Sequence, residues 1–286
     1  MRVAVIGAGG FIGRCLVARL GESGVDVVPF SSQSSNMFEP ASGILSDGFD
    51  LPAGTECVVY LAQSPYYRQM PEKASHLWGV NVLSAMKVAE LARHRGVRRF
   101  IYASTGNVYS PSFSPLSEGD SLRRDDWYAL SKIHAEEGLG LYRSDMSVTV
   151  TRIFGVYGPG QADKLVPNLA QSIRSGVPIK LAPNPHDDED KGGLKVSLCY
   201  IDDVVEIFSR LIAQEGPDVI NVAGPEVLSV RDIAQAIGDT LGISPKFEIA
   251  SQPRGLDLIA DVTMLVGMLS PKFKPFVESI RRTMEI

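Results

Sequence analysis

The chain has 286 residues, a hydrophobic fraction of 44% and a formal net charge of −5 at pH 7. This length allows one large domain or two moderate ones, and the acidic balance gives no indication of a nucleic-acid or anionic-membrane partner. The three cysteines are scattered without metal-ligand spacing, and no apolar run approaches the ~18 residues of a membrane span. We therefore expect a globular protein of the cytoplasm that holds no metal ion.

The first predicted element is a short strand, because residues 3–6 are apolar and rich in valine and isoleucine. A glycine turn follows, and residues 14–20 then have helical apolar spacing. Glycines let a backbone approach a pyrophosphate closely, and a helix N-terminus offers unpaired N–H groups. We predict a dinucleotide site here, with an empty βα turn as the alternative. The predicted contacts are Gly7, Gly9, Gly10, Phe11, Ile12, Gly13 and Arg14.

The glycine spacing is G-x-x-G-x-x-G, which differs from the G-x-G-x-x-G of many dinucleotide sites. The second predicted strand, at residues 25–30, leads into a serine-rich run at 31–35 that lacks the carboxylate typical of NAD sites. Ser31 and Ser32 can bond a ribose hydroxyl or a phosphate, and Arg14 can pair with a 2′-phosphate or remain solvated. The sequence therefore predicts NAD or NADP and leaves the choice open.

Strand and helix patterns alternate along the following residues. Residues 57–62 and 100–104 read as buried strands, and residues 81–92 between them have helical periodicity. This alternation is typical of a parallel sheet with helices on both faces. We predict an α/β fold with a doubly wound, Rossmann-type parallel sheet.

Tyr128 and Lys132 are four residues apart and therefore lie on one face of a predicted helix. An ammonium about 5 Å from a phenol, at an effective dielectric of roughly 20, favours the phenolate by on the order of 3 kcal/mol. We predict that Lys132 lowers the pKa of Tyr128 from about 10 towards working pH, which would make the phenol an acid-base catalyst. The alternative is a chance pairing on a solvated helix face.

Together these motifs resemble the extended short-chain dehydrogenase/reductases, the sugar-nucleotide epimerase/dehydratase family. The matching segments are residues 7–13, 81–92, 98–105, 128–132, 152–159, 200–205 and 221–230. The resemblance implies a Rossmann domain with a smaller α/β substrate-binding domain towards the C-terminus, and an active site between the two. We expect the nucleotide domain at 1–152 plus a returning segment near 196–221, and the substrate domain at 153–195 and 222–286.

The resemblance also implies roles for single residues. Tyr128 would be the general acid/base, and Lys132 would tune its pKa and bind the nicotinamide ribose. Thr105 would hydrogen-bond the substrate oxygen, with Ser104 as a second candidate. Asn81 matches a cofactor-side helix asparagine, although a capping or packing role is equally open. The other implied cofactor contacts are Leu61, Ala62, Gln63, Ala103 and Phe154.

The substrate half departs from the family. Gly155 stands where relatives that bind nucleotide-diphosphate sugars usually carry asparagine, and Val196 stands where they carry arginine. Lys195 or Lys164 could replace that arginine, but only as a point charge. Residues 183–193 include His186 and four consecutive carboxylates, and we predict a solvated, mobile loop there that repels a diphosphate.

The leading hypothesis is an NAD(P)-dependent oxidoreductase of the epimerase/dehydratase type, acting on a carbinol or ketone carbon of a sugar nucleotide or related sugar. A ketoreductase or hydroxy-dehydrogenase with a non-nucleotide substrate is the second hypothesis, which Gly155 and Val196 favour. A catalytically silent NAD(P)-binding sensor is the third, and the intact Thr105, Tyr128 and Lys132 oppose it. The resemblance further implies a homodimer formed by the helices at 81–94 and 128–141.

Overall fold

The computed structural model describes residues 1–32 and 37–285, which form two compact units. The first unit contains Met1–Ser110, Ser121–Ile153 and Val205–Ile220, and the second contains the rest of the described chain. Relative to the predicted division, residues 111–120 and 196–204 fall in the second unit. Most of the serine-rich run, at residues 33–35, lies outside the described residues.

The secondary structure alternates between strands and helices along most of the chain. The strands are β1 Arg2–Ile6, β2 Asp26–Phe30, β3 Thr55–Tyr60, β4 Arg99–Thr105, β5 Ser147–Ile153, β6 Gly155–Tyr157, β7 Ile179–Leu181, β8 Lys195–Tyr200, β9 Val219–Val222, β10 Val227–Ser229 and β11 Phe247–Ile249. The helices are α1 Phe11–Glu22, α2 Ala74–Trp78, α3 Ser84–His94, α4 Trp127–Gly140, α5 Leu165–Arg174, α6 Ile201–Ala213, α7 Val230–Leu241, α8 Thr263–Leu269 and α9 Phe276–Met284.

The main sheet has the strand order β2-β1-β3-β4-β5-β9. The pairs β1–β2, β1–β3, β3–β4 and β4–β5 are all parallel. Parallel strands need crossover connections, and helices that cover both faces bury the strands between them. Residues 3–6 of β1 are accordingly 0% exposed. The predicted α/β class with a Rossmann-type parallel sheet is confirmed.

The second unit is a mixed α/β body with two small sheets, ordered β10-β8-β6 and β11-β7. Helix α7 begins with a capping box, in which Ser229 and Asp232 satisfy each other's backbone N–H groups. Among the described helices of the chain, none is long and apolar enough to cross a membrane. The described residues also include no group of three or more His, Cys, Asp or Glu side chains suited to a metal ion.

Candidate active site

The turn after β1 can be built only from glycine at two positions. Gly7 has φ +92°, and a Cβ atom there would lie 2.6 Å from the backbone nitrogen of Ala62. A Cβ atom at Gly13 would lie 2.3 Å from the Gly7 carbonyl oxygen. The N–H groups of Gly7 and Ala8 both donate to the Phe30 carbonyl at 2.9 Å. These contacts hold the turn tightly at the ends of β1, β2 and β3.

Helix α1 starts directly after this turn, with Gly10 as its N-cap and no side-chain cap on its first amides. Such a helix end offers N–H groups and positive dipole charge to an anion. Ser31 lies beside the turn, because a Cβ atom at Gly9 would be 3.3 Å from its Cβ. Arg14 is exposed, with its guanidinium carbon 5.3 Å from the centre of the Phe11 ring. The cradle therefore fits the pyrophosphate of a dinucleotide.

Asn81 braces the segment after β3 against α4. Its side chain is 0% exposed and lies in a π-helical turn, Gly79–Leu83, that precedes α3. The amide nitrogen donates to the Ser131 hydroxyl at 3.0 Å, and the amide oxygen accepts from the Ser64 N–H at 3.2 Å. Protein groups engage both ends of this amide, which corresponds to the packing alternative for Asn81.

Tyr128 lies in the first turn of α4, which Asp126 caps by accepting from the Ala129 N–H at 2.8 Å. The phenol donates to Oε1 of Gln63 at 2.9 Å, and the nearby Thr105 hydroxyl acts to lower the pKa of the phenol. The Thr105 oxygen in turn accepts from the Asn107 N–H at 3.2 Å. Gln63, Tyr128 and Thr105 thus lie together at the carboxyl ends of β3 and β4.

The pKa of Tyr128 differs from the sequence-based prediction. Burial raises the pKa of this phenol, and the hydrogen bond from Thr105 opposes that effect. The predicted lowering of the Tyr128 pKa by Lys132 is wrong in this structure, because burial dominates the pKa of the phenol, and the lysine Nζ donates to the Ala103 carbonyl at 2.7 Å. Lys132 is only 2% exposed. Burial lowers the pKa of its ammonium to about 7, although Glu136 raises it.

The two hydroxyl candidates on β4, Thr105 and Ser104, have different partners. Thr105 contacts Tyr128, whereas the Ser104 hydroxyl donates to Oε1 of Glu136. Glu136 also forms a buried ion pair with Arg152, with Nη2 and Oε2 2.7 Å apart. Glu136 is not among the predicted site residues, although its spacing of four from Lys132 places it on the same helix face and could have indicated it.

The remaining predicted contacts have defined partners. Ala62 packs beneath Gly7, and the Leu61 N–H donates to the Ile6 carbonyl at 2.7 Å. Phe154 belongs to the second unit, where its N–H donates to the Val222 carbonyl at 3.0 Å. Ser32 is exposed.

The positions where the sequence departs from the family are sterically occupied in the second unit. A Cβ atom at Gly155 would lie 2.4 Å from Cδ2 of Leu198, so an asparagine there requires that leucine to move. Val196 is 4% exposed. The Lys195 ammonium lies 2.9 Å from Oδ2 of Asp190, and this pairing already balances its charge.

The prediction of a solvated loop at residues 183–193 is wrong for Asp190. Residues 186–189 are exposed as predicted, but the Asp190 side chain is only 5% exposed. Arg254 donates to Asp190 at 2.6 Å and to both oxygens of Asp257, at 2.7 and 3.1 Å. Burial would raise the pKa of Asp190, but hydrogen bonds from Lys195, Arg254 and Asn184 hold it well below its usual range.

Comparison with known proteins gives a consistent result. A model described as the NAD dependent epimerase/dehydratase family matches residues 3–223. UDP-glucose 4-epimerase of Mycolicibacterium smegmatis is 28% identical over 267 residues, covering 85% of this chain and 83% of that protein. A probable UDP-glucuronate 4-epimerase of Rhizobium meliloti is 28% identical over 255 residues, with 79% and 72% covered. The structure of MoeE5 in complex with UDP-glucuronic acid and NAD superposes with a TM-score of 0.79, 26% identity and coverage of 99% and 97%.

Proposed function

The chain belongs to the NAD dependent epimerase/dehydratase family, and from that premise we propose that it acts on a carbinol or ketone carbon of a sugar nucleotide or related sugar. It is an NAD(P)-dependent enzyme of the extended short-chain dehydrogenase/reductase type. The observation that carries the proposal is the grouping of Tyr128, hydrogen-bonded to Gln63, with the Thr105 hydroxyl and the buried Lys132.

In this proposal Tyr128 transfers the proton of the reacting substrate oxygen. Its phenol is protonated at neutral pH because burial raises its pKa, so it is ready to donate, as the reduction of a ketone requires. Thr105 supplies a second hydroxyl that stabilises negative charge on the same oxygen. To accept a proton, Tyr128 needs a positive charge nearby, which Lys132 provides only in its ammonium form.

The glycine cradle and the first amides of α1 would hold the diphosphate of the dinucleotide, with Ser31 beside them. A bound nicotinamide would supply the hydride chemistry at the substrate carbon. We propose NAD as the natural cofactor, since the MoeE5 structure contains NAD with a sugar nucleotide. Asn81 acts here as a positioning residue, because its amide ties Ser64, next to Gln63, to Ser131 on α4.

The proposal is tested by identifying the nucleotide released from the purified protein and by supplying candidate substrates. Retained NAD, together with interconversion of UDP-glucose or UDP-glucuronic acid and their 4-epimers, would support an epimerase. Stoichiometric oxidation of added NADH or NADPH by a ketone substrate would indicate a reductase. Absence of any hydride transfer from a broad set of sugar nucleotides and ketones would reject both.

A reductase or dehydrogenase for a non-nucleotide substrate is the second candidate. The close approach of Leu198 to Gly155, the buried Val196 and the Lys195–Asp190 pair favour it. A thermal-shift titration with UDP separates the two candidates, since a ligand of the folded state raises stability. Stabilisation by UDP favours the sugar-nucleotide substrate, and no shift at saturating UDP favours the second candidate.

We also propose a homodimer formed through α3 and α4. Large apolar side chains are exposed at the ends of these helices: Leu83 by 50%, Trp127 by 47% and Leu141 by 80%. Exposed apolar groups that join into one patch mark association surfaces, and these three side chains are the candidates for such a patch. Light scattering should give twice the monomer mass, and Leu141→Glu should reduce it. A monomeric wild type would reject the dimer.

A further inference from the structure

Three consecutive residues at the end of β4 each face one residue of α4. The Ala103 carbonyl accepts from Lys132 at 2.7 Å, the Ser104 hydroxyl donates to Glu136, and the Thr105 hydroxyl acts on the pKa of Tyr128. The three helix partners are spaced by four residues and therefore share one helix face. The strand and the helix are consequently locked in a single register, and Glu136 is the member of this set that the reaction does not use.

Glu136 is held by a closed set of polar partners. It is 7% exposed, and Arg152, its ion-pair partner, is 5% exposed. Arg152 approaches with Nη2 2.7 Å from Oε2 and with Nε 3.2 Å from the same oxygen. The Arg152 guanidinium carbon also lies 4.9 Å from the centre of the Tyr109 ring. A buried carboxylate bound in this way has a fixed position.

We propose that Glu136 is a positioning residue for α4, the helix that carries Tyr128 and Lys132. Through Ser104 and Arg152 it fixes the register of α4 against β4, and its carboxylate keeps a negative charge beside the Lys132 ammonium. The inference rests on the proposed function in one respect, namely that Tyr128 and Lys132 perform the chemistry. It assigns Ser104 to the support of Glu136 instead of to the substrate.

The charge on Lys132 is set by few groups. Among the described residues, Glu136 is the charged side chain that acts on this ammonium, and the Tyr102 ring centre lies 4.8 Å from Nζ. Tyr60 and Tyr128 in turn act on Tyr102, and Arg152 pairs with Glu136. The tyrosines are neutral at physiological pH, because burial raises the pKa of each. Glu136 is therefore the group that opposes the loss of the Lys132 proton caused by burial.

The direct test is the titration of Lys132 in nucleotide-free protein, followed by NMR of 13Cε-labelled lysine and assigned by the signal lost in Lys132→Met. Glu136→Gln keeps the shape and hydrogen-bond acceptor of the side chain but removes its charge. The midpoint of the Lys132 titration should then fall by about one pH unit or more. Glu137→Gln is the matched control, because Glu137 is an exposed neighbour on the same helix and should leave the midpoint unchanged. Equal midpoints in Glu136→Gln and Glu137→Gln would overturn the proposal.

Ser104→Ala tests the register even if Glu136→Gln does not fold. It deletes one hydroxyl and retains the Glu136–Arg152 ion pair. We expect amide hydrogen exchange in residues 128–136 to accelerate at least about tenfold, which corresponds to about 1.4 kcal/mol of lost protection. Exchange in β1 should remain unchanged. Wild-type exchange rates throughout α4 in the alanine variant would contradict the positioning role.

These measurements need no substrate, so they separate the two proposals. A shifted Lys132 midpoint in a protein that shows no hydride transfer would reject the proposed function and keep the electrostatic role of Glu136. Hydride transfer with an unshifted Lys132 midpoint would keep the proposed function and reject the electrostatic role of Glu136. With both present, the alkaline limb of kcat against pH should move to lower pH in Glu136→Gln, because turnover then loses the Lys132 ammonium at lower pH.

Discussion

One buried cation of each unit, Arg254 and Lys132, can be compared, and their surroundings differ. Arg254 in the second unit is 7% exposed and reaches two carboxylates, Asp190 and Asp257. Burial would lower its pKa, but the bonds to Asp257 and Asp190 outweigh burial and raise it. Lys132 in the first unit is 2% exposed and donates to a neutral carbonyl, and burial lowers its pKa to about 7.

This difference distinguishes a structural charge from a chemical one. A buried cation with matched carboxylates is locked in its charged state, and its loss leaves buried anions uncompensated. A buried cation without a direct counter-ion is held near its protonation midpoint, where binding of a charged or polar ligand can change its state. The comparison predicts that substitutions near Lys132 change turnover, whereas substitutions near Arg254 change stability.

Tyr128→Phe should give the largest effect. It removes the proton-transferring hydroxyl but keeps the ring, so kcat should fall by roughly a thousandfold, within the range for general acid–base catalysis. The dissociation constant of NAD, measured by calorimetry, should change less than about threefold, since the cradle around Gly7 and α1 is untouched. Tyr67→Phe is the matched control, because Tyr67 packs 5.2 Å from the Tyr128 ring and has no assigned proton transfer. Turnover that survives in Tyr128→Phe would refute the role of the phenol.

Arg254→Met should destabilise the protein by about 3 kcal/mol, because it leaves two buried carboxylates without their guanidinium partner. Denaturant unfolding measures this value, with the exposed Arg174→Met as a control that should change stability by less than about 0.5 kcal/mol. If Arg254→Met were as stable as this control, the ion cluster around Asp190 would have no structural role.

Much of the fold could be predicted from the sequence, for a local reason. The glycine turn after β1, the buried strands and the helical spacing between them are patterns of neighbouring residues, and they define a parallel sheet. Asp190 shows the limit of this reasoning. Its burial depends on Arg254, which is 64 residues away in sequence, and no local pattern predicts that contact.

The candidate site shows the same limit. The spacing of Tyr128 and Lys132 predicts a shared helix face, but the pKa of each group depends on burial and on the direction of Nζ. Those properties come from β4, which supplies the Ala103 carbonyl. The sequence also left Ser104 and Thr105 as alternatives, because both are hydroxyl residues at the end of β4 and only the packing of β4 against α4 decides that Ser104 meets Glu136 and Thr105 meets Tyr128. The catalytic roles of these residues stay predictions.

Lys132→Met should stabilise nucleotide-free protein by on the order of 2 kcal/mol at pH 7, since it removes a buried charge. The folded pKa of Lys132, about 7, lies below its unfolded value, so the unfolded chain holds the extra proton between about pH 7 and 10. The free energy of unfolding of the wild type should therefore rise with pH across this range. The methionine variant should lack that component, whereas Lys180→Met, at an exposed lysine, should keep it. Identical pH dependence in Lys132→Met and wild type would mean that Lys132 carries no burial penalty.

The smallest predicted effect concerns Gly155, where the second unit departs from its sugar-nucleotide relatives. Gly155→Ala should cost about 1 kcal/mol, because the new Cβ lies 2.4 Å from Cδ2 of Leu198 and forces that side chain to move. Gly21→Ala is a fitting control, since an added Cβ there meets no atom within 4 Å and alanine favours a helix. Gly21→Ala should therefore stabilise the protein slightly. Leu198→Ala removes the side chain that the new Cβ meets, so Gly155→Ala should cost less in that background than in the wild type. The coupling in this double-mutant cycle should be about 0.5–1 kcal/mol. If Gly155→Ala cost nothing, Leu198 would move without an energetic cost. The steric argument against an asparagine at position 155 would then fail. The case for a non-nucleotide substrate would lose its main support.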